Sequence, residues 1–212
     1  LSSAASDVYK RQIGTGAGTV DDPGDMMIIG NTTPRYSYSF RIEASWNGFD
    51  ISAFFQGVGK RDWYPTANKD DIYGANQFWQ LYGYTIPSFI TYDFMDDVWS
   101  EQNPGGYFPR LRPIQSYNGG PLGQNNDRYL QSVAYLRFKN LTIGYTLPVL
   151  KKYLSKLRIY VSGENLCYWS PLKKHCKLID PELAISSGTY KGGTGTGYTM
   201  PRTFSFGVDI TF

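Results

Sequence analysis

Side chains able to do covalent or metal chemistry are sparse in this sequence. The single histidine, His175, stands beside Cys176, and the other cysteine is Cys167. A thiol next to an imidazole becomes a nucleophile only when the fold orients base and sulfur together, and adjacency in sequence makes no dyad. A metal site would need closer cysteine spacing and further ligands. The two cysteines are left as a small disulfide closing a surface loop or as two unpaired thiols. Asp96 and Asp97 form an isolated acidic pair, which reads as solvated, since acid–base work needs a second positioned group. The run Asp21-Asp-Pro-Gly-Asp25 lacks the alternate Asp or Asn positions of a calcium loop and reads as a plain turn. The expectation is a protein that is not an enzyme and has no metal and no cofactor.

What remains are aromatic rings. Trp63, Tyr64, Trp79, Tyr82, Tyr84 and Trp99 fall in one irregular stretch, Lys60 to Asp127, rich in Pro, Gly and Asn. Flat aromatic faces stack on sugar rings and fill apolar pockets, so these six are the candidate substrate contacts. The plainer alternative packs them within their own loop or against a lid, and the sequence favours that for each ring. Connections longer than about 15 residues are uncommon in compact domains unless they carry function.

The elements that hold such a loop are strands. Aromatics make up 17% of the chain and charged residues 18%, with 18 Tyr and 23 Gly, a balance that favours an all-β fold over helices or disorder. From Pro34 to Trp46 the even positions Tyr36, Tyr38, Phe40, Ile42, Ala44 and Trp46 are apolar or aromatic, while Arg35, Ser37, Ser39, Arg41, Glu43 and Ser45 are polar. Successive strand side chains point to opposite faces, so this is one long two-sided strand. Asn47-Gly48 follows as a hairpin signal, and a return strand runs from Phe49 to about Gly59. A third strand is predicted from Tyr129 to Leu147. Its parity slips near Lys139-Asn140, as a β-bulge would cause. After Pro148, the segment Val149 to Lys156 is a short connector, read as about one helical turn. A fourth strand covers Leu157 to Tyr168. A long loop rich in Gly, Ser and Thr (Trp169 to Met200) leads to the last, Thr203 to Phe212. There Phe204, Phe206, Val208, Ile210 and Phe212 share one face.

Connections alternate short, long, short, long along these five antiparallel strands. Outer-membrane barrels have tight periplasmic turns and longer external loops. Strands of about ten alternating residues can cross a bilayer without a hydropathy peak. Five strands are too few to close a barrel, for which about eight is the practical minimum. Open edges in lipid cost several kcal/mol per unpaired group, so further strands are expected elsewhere in the protein. The net charge of +3 is spread along the chain, and its one dense basic run, Lys151 to Lys156, is short; no nucleic-acid partner is expected. Residues 1–12 show neither alternation nor a signal-peptide core. They resemble a translated adaptor segment and are set aside as a non-native leader, leaving residues 13–212 as the barrel segment.

Several stretches in series carry a family resemblance: Asp25-Met-Met-Ile-Ile-Gly-Asn31, Pro34 to Phe40, Gly48 to Gly59, Tyr107-Phe-Pro-Arg-Leu111, Tyr135 to Pro148, Leu157 to Leu166, Asp180-Pro-Glu182 and Pro201 to Phe212. Together they resemble the SusC/RagA family of TonB-dependent outer-membrane transporters. The resemblance implies the C-terminal portion of a roughly 22-stranded transmembrane β-barrel with a plug in its lumen. It implies import of oligosaccharides or peptides across the outer membrane of a Gram-negative bacterium, with a SusD-like lipoprotein as lid and TonB as energy source. The terminal strand, ending on Phe212, is implied to be read by the outer-membrane assembly machinery, with its apolar face against the lipid bilayer. A soluble β-sandwich carbohydrate-binding module, a passive porin and a siderophore-type TonB-dependent receptor are the alternatives.

Overall fold

The computed structural model describes residues 27–65, 92–110, 126–148, 154–184 and 199–212. Its main body is one five-stranded antiparallel sheet built from β1 (Tyr36–Trp46), β2 (Phe49–Lys60), β5 (Tyr135–Leu147), β6 (Lys156–Trp169) and β7 (Thr203–Thr211). The spatial order is β1-β2-β5-β6-β7, so each long strand pairs with its neighbour along the chain. The four longest strands have 11 to 14 residues, about twice the usual length in globular domains. Two short strands, β3 (Asp62–Trp63) and β4 (Gln131–Ser132), form a separate ribbon beyond the end of the sheet.

Asn47 and Gly48 close the β1–β2 hairpin with φ values of 48° and 84°, the positive pair that matches strand twist across a two-residue loop. A Cβ on Gly48 would lie 2.9 Å from the Thr146 carbonyl, so both the backbone conformation and the space call for glycine.

The register carries one apolar face across all five strands. Phe40 pairs with Phe55, Ile42 with Ala53, Ala44 with Ile51 and Trp46 with Phe49. Phe49, Ile51 and Ala53 pair onward with Tyr145, Ile143 and Leu141. Those rows continue through Ile159, Val161 and Gly163 to Val208, Phe206 and Phe204. Phe40, Phe55 and Phe138 stack in a ladder with centroids 4.8 and 4.5 Å apart. At Lys139 the register shifts: Phe54 pairs with Asn140 and Phe55 with Phe138. That extra residue is the bulge read from the parity slip. It puts Leu136 and Phe138 on the same face as Leu141 and Ile143. Opposite it, β6 carries its own irregularity at Asn165, which has φ 51°.

No described element packs over this apolar face. Trp46 is 80% exposed and Phe206 is 70% exposed. The buried core lies elsewhere, in a cap at the end of the sheet opposite the Asn47-Gly48 turn. It gathers Trp63, Tyr64, Phe94, Val98, Phe108, Tyr129, Val133, Leu172, Cys176, Ile179 and Ala184.

Two sequence expectations change. The third strand does not run unbroken from Tyr129: Gln131 and Ser132 pair with Trp63 and Asp62, the Val133 amide donates to the Arg61 carbonyl, and the long strand begins at Tyr135. The apolar residues Tyr129 and Val133 belong to the cap. The stretch after Lys60 is also not wholly irregular, since it holds β3 and a 3-10 turn at Met95–Asp97. The connector around residues 149–153 and the turn at 21–25 lie outside the described residues.

Replacing Gly48 with Val should destabilise the hairpin by about 1–2 kcal/mol from the left-handed backbone alone, with more from the close carbonyl. The check is the unfolding temperature of the full-length protein in detergent, where an unchanged midpoint would contradict the turn geometry.

Candidate functional site

The sheet offers two places for function: its polar face, and the cap at the loop end. On the polar face Arg158 is the hub. Its Nε and Nη2 donate to the Asp50 carboxylate at 2.9 and 2.6 Å, and its Nη1 donates to Asp209 Oδ2 at 3.0 Å. Asp209 faces Arg158 directly across β6 and β7, but Asp50 lies two strands away, on the far side of β5. Gly144 makes that reach possible, because a Cβ there would sit 2.6 Å from the guanidinium and from Asp50 Oδ1. Tyr160 likewise lies over Gly207. Bidentate Arg–carboxylate geometry fixes direction as well as charge, so three strands are tied on one face. Neither Asp50, Arg158 nor Asp209 was singled out from the sequence. The available signal was opposite charge on the polar parity at similar distances from the short turns.

At the loop end two of the resemblance motifs interlock. Arg137, 2% exposed, pairs with Asp180, 4% exposed, and its Nε lies 2.8 Å from Glu182 Oε1. Lys139 Nζ donates to Glu182 Oε2 at 3.0 Å. Asp180 Oδ1 also accepts from the Glu182 amide, so the Asp-Pro-Glu turn presents both acids toward β5. Tyr168 lies between two cations, with Arg137 at 4.8 Å from its ring centroid and Lys173 at 3.8 Å.

Tyr107 and Phe108, from a third motif, form the middle of the cap. Phe108 is buried against Phe94, ring centroids 4.7 Å apart. Tyr107 stacks on His175 at 3.6 Å with an interplanar angle of 11°. The Tyr107 hydroxyl donates to the Arg128 carbonyl at 2.8 Å and accepts from Gln131 Nε2 at 2.7 Å. Burial raises the Tyr107 pKa, against the Gln131 hydrogen bond, and pushes Tyr64 up to about 12. His175 Nδ1 lies 3.4 Å from Asp97 Oδ2. Burial lowers the His175 pKa, and that outweighs the raising pull of Asp97.

The cysteines are two free thiols. Cys176 lies in the cap core, where burial pushes its pKa up to about 11 and leaves no thiolate at neutral pH. Cys167 pairs with Phe138 on the apolar face.

The six candidate rings divide. Trp63, 0% exposed, and Tyr64 belong to the cap core. Trp99 instead lines an open hollow of about 430 Å³ with Met95, Glu101, Gln102 and Arg110. Trp79, Tyr82 and Tyr84 lie outside the described residues. Phe204, Phe206, Val208 and Ile210 share the uncovered face of β7, with Phe212 exposed just past its end.

No protein-family model matches the chain. It is 28% identical over 198 residues to TonB-dependent receptor P3 of Formosa agariphila, a match covering 89% of this chain and 17% of that protein. The fold matches the RagAB peptide importer in its open-open state with a TM-score of 0.56 at 20% identity, over 95% of this chain and 21% of the other. A second structure, the RagAB peptide transporter, matches with a TM-score of 0.52 at 20% identity, over 87% of this chain and 18% of the other. The likeness to TonB-dependent receptors holds. The chain spans about a fifth or less of the length of these proteins, and its five-stranded antiparallel sheet matches part of a transporter β-barrel.

Two expected outcomes follow from this cap, each measured on the full-length protein. Arg137→Met leaves Asp180 buried without its cation, which costs about 3–5 kcal/mol; residues 170–184 should lose hydrogen-exchange protection while the strands keep theirs. The lowered His175 pKa means the opened loop takes up a proton more readily than the cap does. Its contribution is therefore complete above about pH 6.5 and lost as pH falls below that value. Exchange at residues 172–176, corrected for the intrinsic pH effect, should rise between pH 7 and 5. In His175→Phe, which keeps the stacked ring, that rise should vanish.

Proposed function

We propose that the chain is the C-terminal part of an outer-membrane β-barrel that imports a nutrient, oligosaccharide or peptide, by TonB-dependent transport. The carrying observation is a continuous apolar face over five long strands with no described element packed on it. In water an uncovered patch of that size would drive aggregation; in a bilayer it is the surface that hydrocarbon requires. The rise per strand residue is about 3.4 Å. Tyr38 to Trp46 therefore spans about 27 Å along β1, or about 21 Å at a tilt near 40°, most of the roughly 25 Å apolar height of outer-membrane barrels. Aromatic residues at both ends suit the interfacial girdles.

The polar face then lines the lumen, the Asn47-Gly48 turn is periplasmic and the cap is external. Phe212 lies at the periplasmic rim, where the assembly machinery would read the terminal strand. β1 and β7 are the two margins of the sheet, and strands elsewhere in the protein would complete the barrel around a plug. A SusD-like lipoprotein would close over the cap, and TonB would act through regions outside this chain. Among the candidate rings, Trp99 is the best placed to meet solute, since it lines a hollow rather than the core. The likeness to TonB-dependent receptor P3 supports TonB-dependent import, and that to the RagAB peptide importer supports a peptide as solute.

A soluble carbohydrate-binding sandwich would need a second layer over Phe40, Ile42, Phe206 and Ile210, all of which are exposed. Phe212→Ser in the full-length gene should lower the outer-membrane yield of folded barrel several-fold. An unchanged yield would remove the proposed role of the terminus, and recovery of the full-length protein in the soluble fraction would overturn the barrel reading. Growth of a deletion strain on defined glycans, on peptides and under iron limitation separates the solute classes.

A further inference from the structure

The loop end of the apolar face is indented. One row across the sheet reads Tyr38, Gly57, Leu136 and Trp169 on β1, β2, β5 and β6. The large rings stand at the two ends of that row. Tyr38 leans inward over Gly57, where a Cβ would lie 2.6 Å from its ring, and its hydroxyl donates to the Tyr135 carbonyl at 3.2 Å. That wall is therefore held in place. Trp169, more than half exposed, is the opposite wall. Between them lies an open groove of about 490 Å³, lined also by Gly59, Ala134, Pro171 and Lys173.

We propose that this groove binds an anionic phosphorylated lipid of the outer leaflet, with an acyl chain between Tyr38 and Trp169 and the headgroup phosphate at Lys173. The inference rests on the barrel reading, which puts this end of the apolar face at the external interface. Three observations favour that occupant. The groove continues the apolar face, so a chain in it remains part of the hydrocarbon layer. Its lining is apolar and aromatic except at the cap end, where Ser170 and the exposed Lys173 of the 3-10 turn join it. The Lys173 ammonium has three donors. One is given to the Tyr168 carbonyl at 2.8 Å, and the ammonium also lies 3.8 Å from the Tyr168 ring centroid; these contacts position the group, and its exposed side faces an anion at the cap end of the groove. The Ser170 hydroxyl donates to the Ala134 carbonyl at 2.7 Å and accepts from the Leu172 amide, so the turn is clipped to the start of β5. Groove and cation are thus parts of one fixed structure.

The test uses the full-length protein purified from outer membranes, with bound lipid counted by native mass spectrometry. The probes are bis-phosphorylated lipid A, dephosphorylated lipid A and inorganic phosphate. The wild-type protein should retain the phosphorylated lipid roughly fivefold more tightly than the dephosphorylated one, the factor expected for one cation at an anionic surface. Lys173→Gln should erase that difference, and Trp169→Ser should weaken both lipids. Equal retention by wild type and Lys173→Gln would overturn the proposal, as would displacement of the lipid by millimolar phosphate, which marks a free-anion site. Failure of wild type to hold any lipid while it remains in the outer-membrane fraction overturns the groove and leaves the transporter reading standing. A wild-type protein found in the soluble fraction overturns both.

Discussion

An apolar sheet face with no described element over it is the constraint on which the rest of this structure depends. In a water-soluble fold the same residues would have to be matched by a second layer, and the alternation along β1, β2, β5, β6 and β7 would serve to aim side chains at it. Here the described core is displaced to one end, among cap residues such as Trp63, Phe108 and Ile179. The sheet therefore obtains little stability from burial against its own chain. What it has is backbone hydrogen bonding between long strands, cross-strand ring contacts such as Phe40–Phe55–Phe138, and the Arg158 ties on the opposite face. On the proposed barrel reading, hydrocarbon would cover one face of this sheet and further strands its margins.

Keeping that face continuous over strands of this length depends on register, and a single residue shows how. Without the bulge at Lys139, Leu136 and Phe138 would point to the polar side, and the apolar face would stop halfway along β5. With it, the face extends to the loop end and Arg137 points into the polar side, where Asp180 and Glu182 receive it. One inserted residue thus serves both the continuity of the apolar face and the anchoring of the cap. The irregularity at Asn165 lies in the facing part of β6, so neighbouring strands bend together.

The strands and the bulge were legible in the sequence because their signals are local. Period-two alternation, Asn47-Gly48 and the parity slip at Lys139 each lie within a few residues. The cap was not legible, because the contacts that build it join residues far apart: Arg137 with Asp180, Tyr107 with His175, Asp62 with Ser132. No periodicity announces such pairs. The motif Tyr107-Phe-Pro-Arg-Leu111 and the motif Asp180-Pro-Glu182 were visible as strings, but that Phe108 enters the cap core with Tyr107 packed against it, and that Asp180 and Glu182 grip β5, is information only the folded arrangement holds. Residue type also failed to separate Trp63 from Trp99. Both are tryptophans in one long connection, and only burial tells a core ring from one that lines a hollow.

That separation bears on how the cap would serve the proposed transport. If it is external, it must hold its shape well enough to present a recognition surface, yet leave some rings free to meet solute. Buried Arg137 and half-buried Tyr107 meet the first requirement: Arg137 between two carboxylates and Tyr107 between His175, Arg128 and Gln131 are each held by several partners. Truncating any one of them leaves polar atoms desolvated, so the arrangement resists partial loosening. The hollow around Trp99, Glu101 and Arg110 meets the second, since it is built on the same 3-10 turn whose Asp97 touches His175. Rigid scaffold and half-buried hollow-lining ring therefore share one short segment, and movement of the cap core would be felt at the hollow through the few residues between Phe94 and Trp99.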